Sequence, residues 1–287
     1  MNKSSQIIRI STLFSIFVSW FILLAASALA TDLDVAFAPH ENCAFSNVTV
    51  ADHQIAVHNV AGWWKLDMTA LTSQLPAQTH IDALDYLYGP TTSTTTTNIV
   101  FSLAEDAVLP GVGLVADEDL LLWNGSTIGL LWDGSANGIP PEANVDALDV
   151  RTFSTITEYS LSFAEAVTLP TVGLVQKSDV VRWTAGSGFS ATKEIDGVAR
   201  GIPLEANVDG FSRETATNIW VLSTDIASQL QGTWYSKSDL INFYYGTDTF
   251  ALRASGSGFG IPAEVNLGEF EVKSTEIPVE LSRFLIE

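Results

Sequence analysis

The chain has one cysteine, Cys43, so no disulfide can form within it and its stability has to come from a buried core. Basic residues are scarce. Thirteen Lys and Arg stand against 33 Asp and Glu, a formal charge of −20 that repels nucleic acid and anionic membrane surfaces. It is compatible with divalent cations, with cationic partners, or with solubility alone. Catalytic signatures are missing. There is no G-x-S-x-G, no H-E-x-x-H, no phosphate-binding loop and no dinucleotide fingerprint. No amphipathic helical stretch of useful length occurs, which argues against a helical fold.

Long apolar runs are absent after the first thirty residues. Ile10 to Leu29 is mostly apolar, Lys3 and Arg9 supply a positive start, and Ala28-Leu29-Ala30 fits a small-x-small cleavage site. Residues 1–30 read as a secretory signal peptide, with an uncleaved anchor as the rival reading. The switch to Thr31-Asp32-Leu33-Asp34 favours cleavage. The expectation is a secreted protein, extracellular or periplasmic, with no membrane contact after cleavage. Cleavage removes two basic residues and no acid, so the remainder is more acidic still.

What is present is apolar and aromatic: 47% hydrophobic residues, with eight Trp and fifteen Phe. Much of it recurs. One unit contains Leu109-Pro-Gly-Val-Gly-Leu-Val115, Asp119-Leu-Leu-Leu-Trp123, Gly138-Ile-Pro140 and Glu142-Ala-Asn-Val-Asp-Ala-Leu148. The next contains Leu169-Pro-Thr-Val-Gly-Leu-Val175, Asp179-Val-Val-Arg-Trp183, Gly201-Ile-Pro203 and Glu205-Ala-Asn-Val-Asp-Gly-Phe211. A third, more diverged, keeps Asp239-Leu-Ile-Asn-Phe243, Gly260-Ile-Pro262 and Glu264-Val-Asn-Leu-Gly268. Asp119, Asp179 and Asp239 are 60 apart. The N-terminal quarter is a worn copy of the same unit.

Each unit holds four short runs with β-branched or aromatic content, separated by Gly, Pro, Asn and Ser. In the second unit they are Val145–Val150, Glu158–Phe163, Asp179–Trp183 and Gly188–Lys193. Four strands in about 60 residues suggest a propeller blade. The chain enters at the second strand of a unit, at Asp32, and ends on a lone first strand, Val265 to Val272. The expected fold is therefore all-β: a four-bladed β-propeller over residues 31–274, with four-stranded antiparallel blades, closed by pairing the C-terminal strand with the N-terminal ones. A β-sandwich or an open stack of β modules is the alternative. Residues 275–287 form a tail outside the count.

The best copy of the unit, Asp117-Glu-Asp-Leu120, Trp123, Trp132-Asp-Gly-Ser135, Gly138-Ile139 and Val145-Asp-Ala-Leu148, resembles a repeat of uncharacterised secreted bacterial proteins. That resemblance implies export and a propeller-like fold and no activity. The organisation is also similar to hemopexin-type four-bladed propellers, whose innermost strands open with an Asp-Ala pair near a channel that often holds ions. Asp82-Ala83 and Asp146-Ala147 match that pair, Asp209-Gly210 matches in part, and Leu267-Gly268 lacks the Asp.

The leading candidate site is the set Asp82, Asp146, Asp209, Asn144, Asn207 and Asn266, oxygen donors at equivalent repeat positions that suit a hard cation such as Ca²⁺. The competing reading is that these Asx side chains cap turns. Asp119 recurs in every unit, which argues for a turn rather than chemistry needed once. The histidines, His40, His53, His58 and His80, all lie in the first quarter, with Cys43 close to His40, at spacings that fit no standard metal motif. Trp63-Trp64 and Tyr244-Tyr245 are adjacent aromatics on predicted strands, where alternation leaves one of each pair available to stack on a ligand. The functional expectation is a non-enzymatic exported binding or surface protein for a glycan or protein ligand, with Ca²⁺ as its one cofactor. A glycan-processing hydrolase using clustered Asp and Glu is the alternative, and a structural or filament-forming protein the next.

Overall fold

The computed structural model describes residues 33–37, 43–45, 48–50, 56–59, 62–65, 71, 73–76, 79–86, 98–153, 156–214, 218–268 and 270–274. Residues 1–32 and 275–287, His40 and His53 lie outside them, as do the side chains of Trp63, Trp64, His58 and Cys43.

Strands dominate. The N-terminal stretch holds β1 (Leu33–Phe37), β2 (Cys43–Phe45), β3 (Val48–Val50), β4 (Ala56–Asn59) and β5 (Gly62–Lys65). The first full unit holds β6 (Ile81–Tyr86), β7 (Ile99–Leu103), β8 (Ala107–Leu109), β9 (Gly113–Val115), β10 (Leu120–Trp123) and β11 (Ile128–Trp132). The second holds β12 (Val145–Phe153), β13 (Ile156–Phe163), β14 (Val167–Leu169), β15 (Gly173–Val175), β16 (Val181–Thr184) and β17 (Gly188–Phe189), followed by one helical turn, α1 (Gly197–Arg200). The third holds β18 (Gly210–Arg213), β19 (Ile219–Ser223), β20 (Ser228–Leu230), β21 (Thr233–Tyr235), β22 (Leu240–Tyr244) and β23 (Thr249–Ala254), and β24 (Phe270–Ser274) comes last.

Three units form four-stranded antiparallel sheets in the orders β6-β7-β10-β11, β12-β13-β16-β17 and β18-β19-β22-β23. A fourth sheet is ordered β24-β1-β4-β5, so the last described strand lies beside the first. Each unit also carries a small hairpin between its second and third strands, β8-β9, β14-β15 and β20-β21, with β2-β3 in the N-terminal stretch. The recurrent Leu-Pro-x-Val-Gly-Leu-Val segments make the first two of these hairpins. Three-residue strands are too short to show a period, so the repeated sequence appears without its structure being predicted. Gly111 and Gly113 have φ of 79° and 103°, a backbone that non-glycine residues rarely adopt, and this lets the first of these loops turn.

Successive sheets pack against one another. Leu120, Trp132 and Ala83 of the first share a buried cluster with Val145, Leu148, Leu161 and Phe163 of the second. Ala147 of the second joins Phe211, Leu222 and Ile241 of the third. The Trp132 ring meets Tyr159 and Trp183 across the first of these interfaces, at 5.5 and 5.3 Å between centroids.

Three series of hydrogen bonds fix the register between neighbouring sheets. A second-strand serine donates to a backbone carbonyl at the start of the next inner strand: Ser102 to Val145 at 2.8 Å, Ser162 to Val208, and Ser223 to Gly268 at 3.3 Å. A side chain on one inner strand accepts from a backbone N–H on the next: Asp85 from Val150, Asp149 from Arg213 at 2.8 Å, and Ser212 from Val272 at 3.3 Å. The third series joins Asn144 to Asp82 at 2.6 Å and Asn207 to Asp146. Close approach demands small residues here. A Cβ on Gly210 would sit 2.5 Å from the Gly268 carbonyl oxygen and from the Phe270 ring.

The repeated aspartates are structural. Asp119 accepts from the backbone N–H of Ala116 at 3.0 Å and of Gly134 at 2.9 Å. Asp179 does the same with Gln176 and Gly197, and Asp239 with Ser236 and Gly256. Each ties the turn before the third strand to the segment that follows the fourth. Among the described residues no helix is long and apolar enough to cross a membrane.

Candidate functional site

The sequence-predicted donors for a cation are buried at the sheet junctions. Asp82, Asp146, Asp209 and Asn207 are all buried. Asp82 and Asp146 each accept from the Asn one unit further on, and Asp209 accepts from Ser223 Oγ at 2.7 Å. Asn266 is half-buried, with Oδ1 shielded from solvent. The structure brings these groups together as pairs. Among the described residues the three aspartates do not form a group of three carboxylates within 4.8 Å.

The aromatic pair divides at the end of β22, with Tyr244 its last residue and Tyr245 in the turn that follows. Tyr244 is half-buried, and its hydroxyl accepts from Asn242 at 3.3 Å. Tyr245 is 47% exposed, and its ring lies 4.6 Å from that of buried Trp220 at an interplanar angle of 33°.

Tyr245 and Trp220 form one wall of a pocket of about 320 Å³ at the junction of the second and third sheets. Arg151, Arg182, Lys193 and Arg213 line it, four of only 13 basic residues in the chain. They come from separate places. Arg151 is on β12, Arg182 on β16, Lys193 follows β17, and Arg213 ends β18. Asn218 and Thr192 stand exposed at its margin.

Arg213 is the fixed centre. Its side chain is 5% exposed. Nε donates to Asp149 Oδ2 at 2.8 Å and Nη1 to Glu194 Oε1 at 2.6 Å. Nη2 is buried and has no hydrogen-bond acceptor. Burial alone would lower the pKa of this guanidinium, but the charges of Asp149 and Glu194 outweigh it and the net shift is upward. Arg213 therefore stays charged at any working pH.

The other lining groups divide. Arg151 shares Asp149 at 3.4 Å, and Lys193 is paired with the buried Asp179. Arg182 lies opposite Ser160 on β13, and its side chain has no hydrogen-bond or ion-pair partner among the described residues. Glu194, the one carboxylate in the lining, is held on both oxygens, by Arg213 and by Ser160 Oγ at 2.5 Å. The pocket thus offers positive charge, an aromatic face and neutral hydrogen-bonding groups. Sequence reasoning found Tyr245 through its adjacency to Tyr244. It missed the arginines, which converge from different strands at no motif spacing. The available signal was their rarity together with their concentration between 151 and 213.

A carboxylate cluster lies elsewhere, in the first unit. Oxygens of Asp106, Asp117 and Glu118 lie within 4.8 Å of one another. Asp106 Oδ1 accepts from the Asp117 backbone N–H at 3.2 Å. Burial pushes the Glu118 carboxyl up to about 7, with the charges of Asp119 and Asp117 acting in the same direction. Asp117 is also raised, by burial and then by the charge of Asp106.

No protein-family model matches the chain, and no curated protein matches it. Among solved structures it is similar to a structural genomics protein of unknown function from Bacteroides thetaiotaomicron, with 10% identity and a TM-score of 0.26, over 78% of this chain and 54% of that one. The chain spans about half the length of that protein, and a likeness this distant carries no argument about fold or function.

Proposed function

We propose that the chain is an exported, non-enzymatic binding protein, built as a four-bladed β-propeller, whose pocket between the second and third blades takes a carboxylate-bearing sugar. Four four-stranded sheets, the bonds between successive sheets and the adjacency of β24 and β1 support the propeller. The leader-like residues 1–30 support export.

The observation that carries the ligand class is the gathering of Arg151, Arg182, Lys193 and Arg213 around a pocket whose one carboxylate, Glu194, is already bonded on both oxygens. A carboxylate matches the planar guanidinium in charge and shape. The exposed Tyr245 ring suits a sugar face, and Asn218 and Thr192 suit its hydroxyls. Phosphate and sulfate share the charge but have no face for Tyr245.

Calorimetry with oligogalacturonate and oligoglucuronate, against the neutral glucan and galactan and against inorganic phosphate and sulfate, tests the reading. Saturable binding of an acidic oligosaccharide with the chain length unchanged after long incubation is expected. Equal affinity for the neutral oligosaccharides, binding of phosphate or sulfate alone, or shortened products would overturn it.

A further inference from the structure

The three units are equivalent position by position at the turn before the third strand. The backbone N–H of Val145, Val208 and Leu267 donates to the carbonyls of Asp117, Lys177 and Lys237 respectively. A Cβ on Gly134, Gly197 or Gly256 would overlap the backbone oxygen of Glu118, Ser178 or Ser238 in turn. The N–H of Ala104, Ala164 and Asp225 bonds the carbonyl of His80, Asn144 and Asn207, which makes Asp106, Ala166 and Ala227 equivalent two residues later. One corner of the repeat therefore reads Ala, Lys, Ser in the second and third units and Asp106, Asp117, Glu118 in the first.

The change is against the grain of the site. Ser178 and Ser238 are 0% and 1% exposed, and Glu118, in the same place, is 2% exposed. Where the other units have a small hydroxyl, a lysine and an alanine, the first has a buried carboxylate and two further acids. Glu118 Oε2 is buried without a hydrogen-bond donor, and so is Asp117 Oδ1. No Lys or Arg occurs between Lys65 and Arg151, so the surrounding sequence supplies no basic counter-charge. Glu118 is buried, Asp117 half-buried and Asp106 exposed, and a buried carboxylate this close to two others needs a positive partner or a proton.

We infer that Asp106, Asp117 and Glu118 form a binding site for a hard divalent cation, Ca²⁺ in particular, present in the first unit and absent from the next two. Carboxylate oxygens gathered from two neighbouring loops are the donor type such an ion takes, and their irregular arrangement suits the flexible coordination of Ca²⁺ better than the strict octahedron of Mg²⁺. The site differs from the Asp82, Asp146 and Asp209 set, in which Asp82 and Asp146 are bonded across sheets and Asp209 to Ser223 of its own unit. It stands independently of the sugar pocket, which the second and third units build.

The test is calorimetric titration of the EGTA-stripped, dialysed full chain with CaCl₂ and MgCl₂, alongside thermal unfolding. One equivalent of Ca²⁺ per chain is expected, with a raised unfolding temperature and weaker binding of Mg²⁺. Asp106→Ala, at an exposed position, should weaken Ca²⁺ binding ~10-fold or more. The combined variant Asp106→Ala, Asp117→Lys, Glu118→Ser installs the side chains of the other two units. It should unfold cooperatively and lose the Ca²⁺-dependent rise. No saturable binding by the parent chain up to about 10 mM, above the range of extracellular calcium modules, would overturn the inference. So would unchanged affinity in Asp106→Ala. That single variant decides the matter if the combined one does not fold.

Discussion

Asn144 donates from Nδ2 to the Asp82 carboxylate at 2.6 Å, and Asn207 repeats the bond to Asp146, joining residues 62 and 61 positions apart. The same residue types at the same repeat positions thus serve as links between one sheet and the next.

Asn207→Ala removes such a link and leaves Asp146 buried without that donor. Urea unfolding should show a loss of about 1–3 kcal/mol. Asn207→Asp should lose more, because it sets two carboxylates against each other. An unchanged urea midpoint for both would show that the bond contributes nothing.

Asp179 gathers one partner more than Asp119 or Asp239: it holds the Gln176 N–H at 2.7 Å, the Gly197 N–H at 2.8 Å, and Lys193. Asp179→Ala should destabilise by about 3 kcal/mol or more, since it strands an ammonium and two amides together. Asp179→Asn should recover part of this. Chemical denaturation of the two variants side by side measures the difference.

Gly210→Ala puts a methyl group 2.5 Å from the Gly268 carbonyl oxygen and from the Phe270 ring. The packing conflict should cost about 1–3 kcal/mol. Because Phe270 begins the strand beside β1, the variant should also speed hydrogen exchange in both β24 and β1. Exchange confined to β18 would contradict that coupling.

In the pocket, Arg182→Ala should weaken binding of an acidic oligosaccharide about 10-fold or more, and Tyr245→Ala by several-fold, with the fold unchanged. Arg182→Lys should rescue the charge and little of the affinity. The pH dependence has a definite sign. Arg213 remains protonated because its pKa is raised, so titration comes from the sugar carboxyl, at about 3.5. Affinity should be level above about pH 5 and fall as the pH drops through the carboxyl pKa, where the ligand loses its charge. Affinity that rises on acidification would point to a ligand of another class.

Much of the fold was legible. Recurring Asp119, Asp179 and Asp239 set the spacing, and the phase of the repeat anticipated the lone C-terminal strand that the structure sets beside β1. The small hairpins were not legible, because strands such as Ala107–Leu109 carry too few residues for alternation to show. The inner-strand Asp and Asn were recognisable as equivalent positions, yet their partners lie one unit away, a distance that repeat alignment does not measure. Tyr245 stood out because a neighbouring aromatic marked it. Arg213 did not, since its role depends on Asp149 and Glu194 on other segments. Glu118 was visible as an acid, and only the burial of Ser178 and Ser238 in its place makes it unusual.

The sheet ordered β24-β1-β4-β5 has a consequence for the timing of assembly. Its strands β1, β4 and β5 leave the ribosome before the three middle units, and the strand that sits beside β1 leaves after them. Until then β1 has an open edge, and the sheet cannot be completed by local pairing. The three middle units can fold as they emerge, whereas this one must wait for β24.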